Sequence, residues 1–263
     1  MNNKKKYIHI IGHTRSGSTY LLDLFTARRS SQRRWNEPFT STDDGQIILD
    51  LTYEGLIKRM KRDKGAVIKS LIWQIVDIQR VGKWWDLLLS INWYVVGLIR
   101  LDVFETTLSQ SIARGTGYKF AHGFSHLQKG FKLKYEMYIP PDFFLKNLNS
   151  MLEQYKQLLE HKEHFDQIIF YEDLTGNITI DKKLIPDLKP NTLLRVATST
   201  KMPSKQKSIT NYNALRKTYL KAITPQNLKH FTEPGSKRHI NFSKFKWNGD
   251  ILDKDQFFTN KTR

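Results

Sequence analysis

The chain has 263 residues, 39% of them hydrophobic and 12% aromatic, which is enough for a full core and excludes a disordered chain. Lys and Arg total 43 against 25 Asp and Glu, and the formal charge of +18 points to an anionic ligand, surface or polymer without singling out nucleic acid. The lack of Cys excludes disulfides, thiolate metal sites and a Cys nucleophile.

Tyr7-Ile8-His9-Ile10-Ile11 is a short apolar run that ends at Gly12 and predicts a strand. A Ser/Thr/Gly cluster follows, and then Tyr20 to Phe25 fits a helix. Ala66 to Ile72, preceded by Asp63-Lys64-Gly65, is a second strand candidate; Trp93 to Ile99, closed by Arg100, is a third. Such continuous apolar runs suit parallel strands buried on both faces. Val103 to Arg114 reads as a helix with Gly115 and Gly117 as stop signals. Pro140-Pro141 opens a long amphipathic stretch from Phe143 to Phe165, with Asp142 as the expected N-cap. Gln167 to Tyr171 is a fourth strand candidate. Strands alternating with helices predict an α/β fold with a mostly parallel sheet. The polar stretches 116–134 and 174–208 read as loops within one domain covering residues 1–263. No apolar run approaches the ~20 residues of a membrane span. The run after the basic N-terminus is too short for a signal-peptide core. The expectation is a cytoplasmic protein without a transmembrane segment, in which the glycosylation patterns at Asn177, Asn241 and Asn260 carry no weight.

Gly12-His13-Thr14-Arg15-Ser16-Gly17-Ser18-Thr19 links the first strand directly to a helix, with the glycine spacing of a Walker A loop. In such a turn backbone N–H groups converge on an anion, and the helix dipole adds to the attraction. Ser18 stands where the Walker lysine belongs, and the cation lies inside the loop as Arg15. This argues against an ordinary ATPase or GTPase. The bland alternative is a tight strand-to-helix turn without a ligand. Arg100 falls at the carboxyl end of a central strand candidate, where open α/β sheets bind ligands, and a guanidinium grips phosphate in a two-point fork. Ser109, about two turns into the next helix, offers a hydroxyl. The alternatives are an ion pair of Arg100 with Asp102 and a plain polar helix face at Ser109.

Arg15-Ser16-Gly17-Ser18-Thr19 after a short N-terminal strand resembles the 5′-phosphosulfate loop of sulfotransferases that use 3′-phosphoadenosine 5′-phosphosulfate (PAPS). Leu98-Ile99-Arg100-Leu101-Asp102 with Ser109 resembles their second signature, a strand ending in Arg and a helix carrying Ser. The spacing of nine, and Ser111 to Gly117 after it, are closest to the bacterial trehalose-type sulfotransferases, which act on carbohydrate. Tyr171-Glu172-Asp173-Leu174 and Ile209 to Leu215 resemble two further recurrent elements. The four matches occur in the family order between residues 7 and 217. The resemblance implies a three-layer, P-loop-like α/β fold with a central, mostly parallel sheet flanked by helices. It implies PAPS as donor, with Arg15, Ser16, Gly17, Ser18, Thr19 and the adjoining Tyr20 around the 5′-phosphosulfate. Arg100 and Ser109 would hold the 3′-phosphate, with Ser204 or Lys205 from a late basic loop near it.

Pro38 forces Glu37 away from helical angles, so Glu37 is expected where the preceding helix ends. Related enzymes place a catalytic Glu in this stretch or a His two residues after a strand lysine. Here that lysine is Lys69 and the later position is Leu71, so the resemblance leaves Glu37 as the general base, with Lys69 at the sulfuryl group or the bridging oxygen and Arg15 on the 5′-phosphate as it gains charge. The alternatives are an ion pair of Glu37 with Arg33 or Arg34, and a solvent-facing Lys69. Glu172 is expected to orient a loop or an arginine, and His13 to carry no catalytic weight. The expected acceptor is a hydroxyl of a carbohydrate or glycolipid; an oligomer is allowed and no nucleic acid is expected. No metal is expected, because neither His122 with His126 nor His161 with His164 brings a clear third ligand. Two rival readings stand beside this one: a phosphate-loop kinase with Asp102 on its metal, and a basic nucleic-acid-binding module.

Overall fold

The computed structural model describes residues 7–26, 33–36, 58, 66–81, 84–86, 93–115, 136–175, 205–223 and 245–258. In chain order its elements are β1 (Tyr7–Gly12), α1 (Ser18–Thr26), β2 (Arg33–Asn36), β3 (Ala66–Leu71), α2 (Ile72–Val81), β4 (Tyr94–Ile99), α3 (Val103–Gly115), α4 (Pro141–Glu160), β5 (Gln167–Phe170), α5 (Lys205–Ser208), α6 (Tyr212–Ala222), β6 (Trp247–Asn248) and β7 (Ile251–Leu252). Short 3-10 turns cover Lys162–His164, Tyr171–Thr175 and Lys254–Phe257. The residues group into two compact units: Met1–Ile99 with Lys156–Val196 and Phe257–Arg263, and Arg100–Tyr155 with Ala197–Gln256.

The first unit carries a five-stranded parallel sheet of order β2-β3-β1-β4-β5, and the protein is of the α/β class. Strand β1 is central, with Ile10 opposite Lys69 on one side and Val96 on the other. Its side chains alternate between the two faces. Ile8 and Ile10 join Leu21, Leu22 and Phe25 of α1 in one buried cluster. His9, fully buried, meets the edges of Trp84 and Trp93, each with ring centroids 5.7 Å away, and hydrogen-bonds Ser70 Oγ through Nε2 at 2.9 Å. The strand order turns away from β1 in both directions, toward β3 and toward β4. The loop after β1 therefore leaves the carboxyl edge at the topological switch point, the usual ligand position in open α/β sheets.

Three expectations need correction here. The segment before Glu37 is not a helix: Arg33–Asn36 is a strand that pairs with β3, Asn36 opposite Lys69. Ile72 begins a helix instead of ending a strand; Gln74 Oε1 accepts the Leu71 N–H at 2.8 Å, and Ile72 and Ile75 bury at helical spacing. The long helix ends at Glu160, five residues before Phe165. Phe165 must lie flat over Gly97, where an added Cβ would come within 2.7 Å of its ring. Asp166 Oδ2 then accepts the Val95 N–H at 2.8 Å and starts β5 in register.

The second unit holds α3, most of α4, and α5, α6 and the β6–β7 hairpin. Asp102 caps α3: its Oδ1 accepts the Glu105 N–H at 2.9 Å, an N-cap arrangement. Helix α4 starts at Pro141, a favoured first position, so Asp142 is not the cap but lies in the first turn, where its charge suits the helix dipole. Asn147 of α4 donates to Ser111 Oγ at 3.1 Å and accepts from Arg114 at 2.9 Å, tying α4 to α3. The Phe104 ring packs edge-on to Phe144 and Tyr212, and the Arg216 guanidinium lies 4.8 Å above it. No helix among the described residues is long and apolar enough to cross a membrane.

Candidate functional site

The loop between β1 and α1 is built on three unusual residues. Arg15 adopts φ 64°, the left-handed region that disfavours a side chain. Gly17 has φ 89°. Ser16 lies between them, fully buried, and its N–H closes a turn onto the His13 carbonyl at 3.2 Å. Backbone that alternates through left-handed residues curls its N–H groups inward and forms a concave anion nest. The Ser16 hydroxyl has no hydrogen-bond partner among the described residues. An orphaned buried hydroxyl costs about 1–3 kcal/mol unless something satisfies it. Both glycines are required sterically: a Cβ on Gly12 would come within 2.6 Å of Ser16 Oγ, and one on Gly17 within 2.6 Å of the Tyr171 ring. His13 is fully buried, and its Nδ1–H donates to the Thr14 carbonyl at 2.9 Å.

Two neighbours complete the loop. Lys69 of β3 is 4% exposed, and its Nζ donates to Thr19 Oγ1 in the first turn of α1 at 2.9 Å. The solvent-facing alternative for Lys69 is therefore wrong. A second cation stands against the loop, supplied by the adjacent strand in place of the Walker position. Tyr171, the first residue after β5, lays its ring over Gly17, and Leu174 of the same turn enters the core. Burial, with Tyr171 beside it, pushes the Tyr20 hydroxyl up to about 12, so it stays protonated and able to donate.

In the second unit, Arg100 is the residue after β4 and its carbonyl accepts the Tyr155 hydroxyl. Lys205 Nζ donates to Glu105 Oε2 at 2.9 Å and to the Glu105 carbonyl at 2.8 Å, and the Tyr212 hydroxyl donates to Glu105 Oε1 at 3.0 Å. Burial opposes the charge on Glu105, but Lys205, Tyr212 and Arg100 outweigh it and hold the carboxyl below its ordinary range. Burial pushes the Lys205 ammonium down; Glu105 opposes this, and the positive charge of Arg100 adds to it. Arg100 thus acts on Lys205 as a like charge, while Glu105 and, more weakly, Asp102 oppose the shift. Ser109 is half-buried on the second turn of α3.

The structure therefore gathers Arg15, Ser16, Gly17, Ser18, Thr19, Tyr20 and Lys69 at one place, and Arg100 with Lys205 at another. Glu37 and Ser204 lie outside the described residues, as do His122 and His126, the 116–134 loop and the three glycosylation patterns. The residue before Glu37, Asn36, is in register with Lys69. Sequence reasoning missed Tyr171 as the cover of Gly17, and Glu105 and Tyr212 as the partners of Lys205. Glu105 gave no separate signal; Tyr171 and Tyr212 each lay inside a motif noted only as a pattern. Compared with known proteins, the chain matches no family model and no curated protein.

Proposed function

We propose that the chain is a PAPS-dependent sulfotransferase with a three-layer, P-loop-like fold, which moves a sulfuryl group to a hydroxyl of a carbohydrate or glycolipid. One observation carries the reading. At the switch point of the sheet, a loop holds a left-handed Arg15 and a buried Ser16 hydroxyl without a partner among the described residues, and Lys69 from β3 is bonded to its Thr19. A nest with its cations at Arg15 and Lys69 suits a donor whose charge is met by side chains and amides. Asp102, the metal ligand that a kinase would need, spends an oxygen on capping α3.

In this mechanism the loop N–H groups and Arg15 hold the 5′-phosphosulfate, with Tyr20 as an added donor. Arg100, Ser109 and Lys205 receive the 3′-phosphate. The acceptor oxygen attacks sulfur in line as the bond from sulfur to the bridging phosphate oxygen breaks. Negative charge accumulates on the leaving 5′-phosphate, where Arg15 and Lys69 stabilise it. Glu37 takes the proton of the attacking hydroxyl, help that is typically worth ~10²–10⁴-fold. Fixed positioning and electrostatics supply the rest. The test is thermal shift with 3′-phosphoadenosine 5′-phosphate (PAP), with ATP plus magnesium, and with single-stranded DNA, followed by transfer from labelled PAPS to a panel of glycan, steroid and tyrosine acceptors. Stabilisation by PAP alone and label in a glycan are expected. Stabilisation by ATP with magnesium but not PAP would replace the reading with a kinase, and stabilisation by DNA alone with a nucleic-acid-binding module.

A further inference from the structure

His161, Glu163 and His164 stand together where α4 ends. Each offers one ligand atom, and the three atoms lie within 4.8 Å of one another. The arrangement follows from the break in the helix. His161 precedes the 3-10 turn Lys162–His164, and the His164 N–H donates to the His161 carbonyl at 3.1 Å. In a 3-10 turn, side chains three apart eclipse instead of fanning by 3.6 residues per turn. The two imidazoles are thereby brought to one side, their centroids 5.9 Å apart and their planes 31° apart. Glu163 Oε1 lies 3.3 Å from His164 Nε2.

Two neighbours prepare this cluster. Trp85, 5% exposed, stacks on His164 at 4.4 Å and 13° and flanks His161 at 5.5 Å, forming a rigid wall behind both rings. Lys162, the cation inside the tripeptide, donates its ammonium to the Phe258 carbonyl at 3.1 Å. The geometry points to a binding site for a divalent transition metal at His161, Glu163 and His164. Two imidazoles and one carboxylate suit zinc, cobalt, nickel or copper, whereas magnesium and calcium prefer oxygen alone. Three ligands from four consecutive residues cover one side of the ion and leave the other to water. The cluster precedes β5, at the amino edge of the parallel sheet, whereas the nest follows β1 at its carboxyl edge. The site is thus separate from the proposed donor loop, and its test does not depend on the sulfotransferase reading.

The experiment uses the full chain after chelation and dialysis. Zn²⁺ is titrated by calorimetry, Co²⁺ by visible absorption, and Ni²⁺ by quenching of tryptophan fluorescence. One equivalent of each is expected to bind, and Ni²⁺ should quench a fraction of the emission that Trp85→Phe removes. Paired His161→Ala and His164→Ala should weaken binding by roughly tenfold or more, at least what loss of an outer-shell partner costs. Glu163→Gln alters an exposed side chain and should weaken binding with the thermal transition unchanged, which covers the case in which the paired histidine variant does not fold. A wild-type chain that binds none of the three ions would overturn the inference. Binding that survives unchanged in the Glu163→Gln and paired histidine variants would overturn it too.

Discussion

Arg15 allows the loop geometry and the ligand reading to be tested with one pair of variants. At φ 64° an L side chain carries about 1–2 kcal/mol of strain that glycine avoids. Glycine at an ordinary position is instead worse than alanine by about 0.5–1 kcal/mol, through the entropy of the unfolded chain. Arg15→Gly and Arg15→Ala both delete the guanidinium and its contacts, so their difference isolates the backbone. The left-handed turn predicts that Arg15→Gly is the more stable, by about 0.5–1 kcal/mol after the two effects are set against each other. For a chain of this size that is about 1–4 °C in Tm. Ordinary backbone at residue 15 predicts the opposite sign. Both variants should lose the same PAP affinity, about 1–3 kcal/mol or roughly 5- to 150-fold, because both lose one charge-assisted contact. Denaturant unfolding and calorimetric titration with PAP read the two quantities separately. An alanine variant more stable than the glycine variant would refute the nest. Undiminished PAP binding in both would refute the anion site while leaving the geometry intact.

Arg100→Ala should weaken PAP binding by about 1–3 kcal/mol and leave adenosine 5′-phosphosulfate, which lacks the 3′-phosphate, nearly unaffected; equal losses in titrations of the two ligands would reverse the assignment. Glu37→Gln should retain PAP binding and lower turnover by ~10²-fold or more in a labelled-PAPS assay, and turnover within a few-fold of wild type across the pH range would end its role as base. His9 supplies a pH prediction. Burial holds its folded-state pKa down to about 3, against 6.5 for an ordinary histidine, so the unfolded chain takes up the proton first. Stability should be full above pH 6.5 and fall by about 1.4 kcal/mol per pH unit toward pH 3. His9→Leu should flatten that part of the slope in denaturant unfolding, and an unchanged slope would mean that His9 ionises freely in the folded protein.

The strands that were legible in the sequence are those rich in apolar residues. β1, β3 and β4 are buried almost throughout, as parallel strands covered on both faces are, and β5, an edge strand buried only at Ile169 and Phe170, still reads as an apolar run. β2 is four residues, Arg-Arg-Trp-Asn, at the edge of the sheet, and its strand character comes from pairing with β3. No local propensity marks it, so Pro38 alone was read, as the end of a helix. The β3–α2 junction was misplaced because Leu71 and Ile72 are equally apolar and no Gly or Pro separates them. What stops the strand is the Gln74 side chain turning back to the Leu71 N–H, a contact that a hydropathy pattern does not carry. The end of α4 was hidden for a related reason: Phe165 continues an amphipathic pattern, yet its destination is Gly97 on a strand 68 residues earlier.

The site divides along the same line between local and distant information. Glycine spacing made the loop legible, because Gly12 and Gly17 answer constraints inside one turn. The sequence does not disclose that the residue between them with left-handed backbone is Arg15. Glycine would fit that backbone without strain, so an arginine there makes physical sense only if the side chain returns more than the strain costs, and the concave face of an anion nest is where a guanidinium can do so. Lys69 argues in the same direction. It lies 50 residues from Thr19, and only the β1–β3 register places its ammonium against the first turn of α1. Burying a lysine ammonium at 4% exposure costs free energy that its partners must offset. Its position, a strained arginine and a serine hydroxyl without a partner among the described residues have independent causes in the chain, and a single bound oxyanion would contribute to offsetting each.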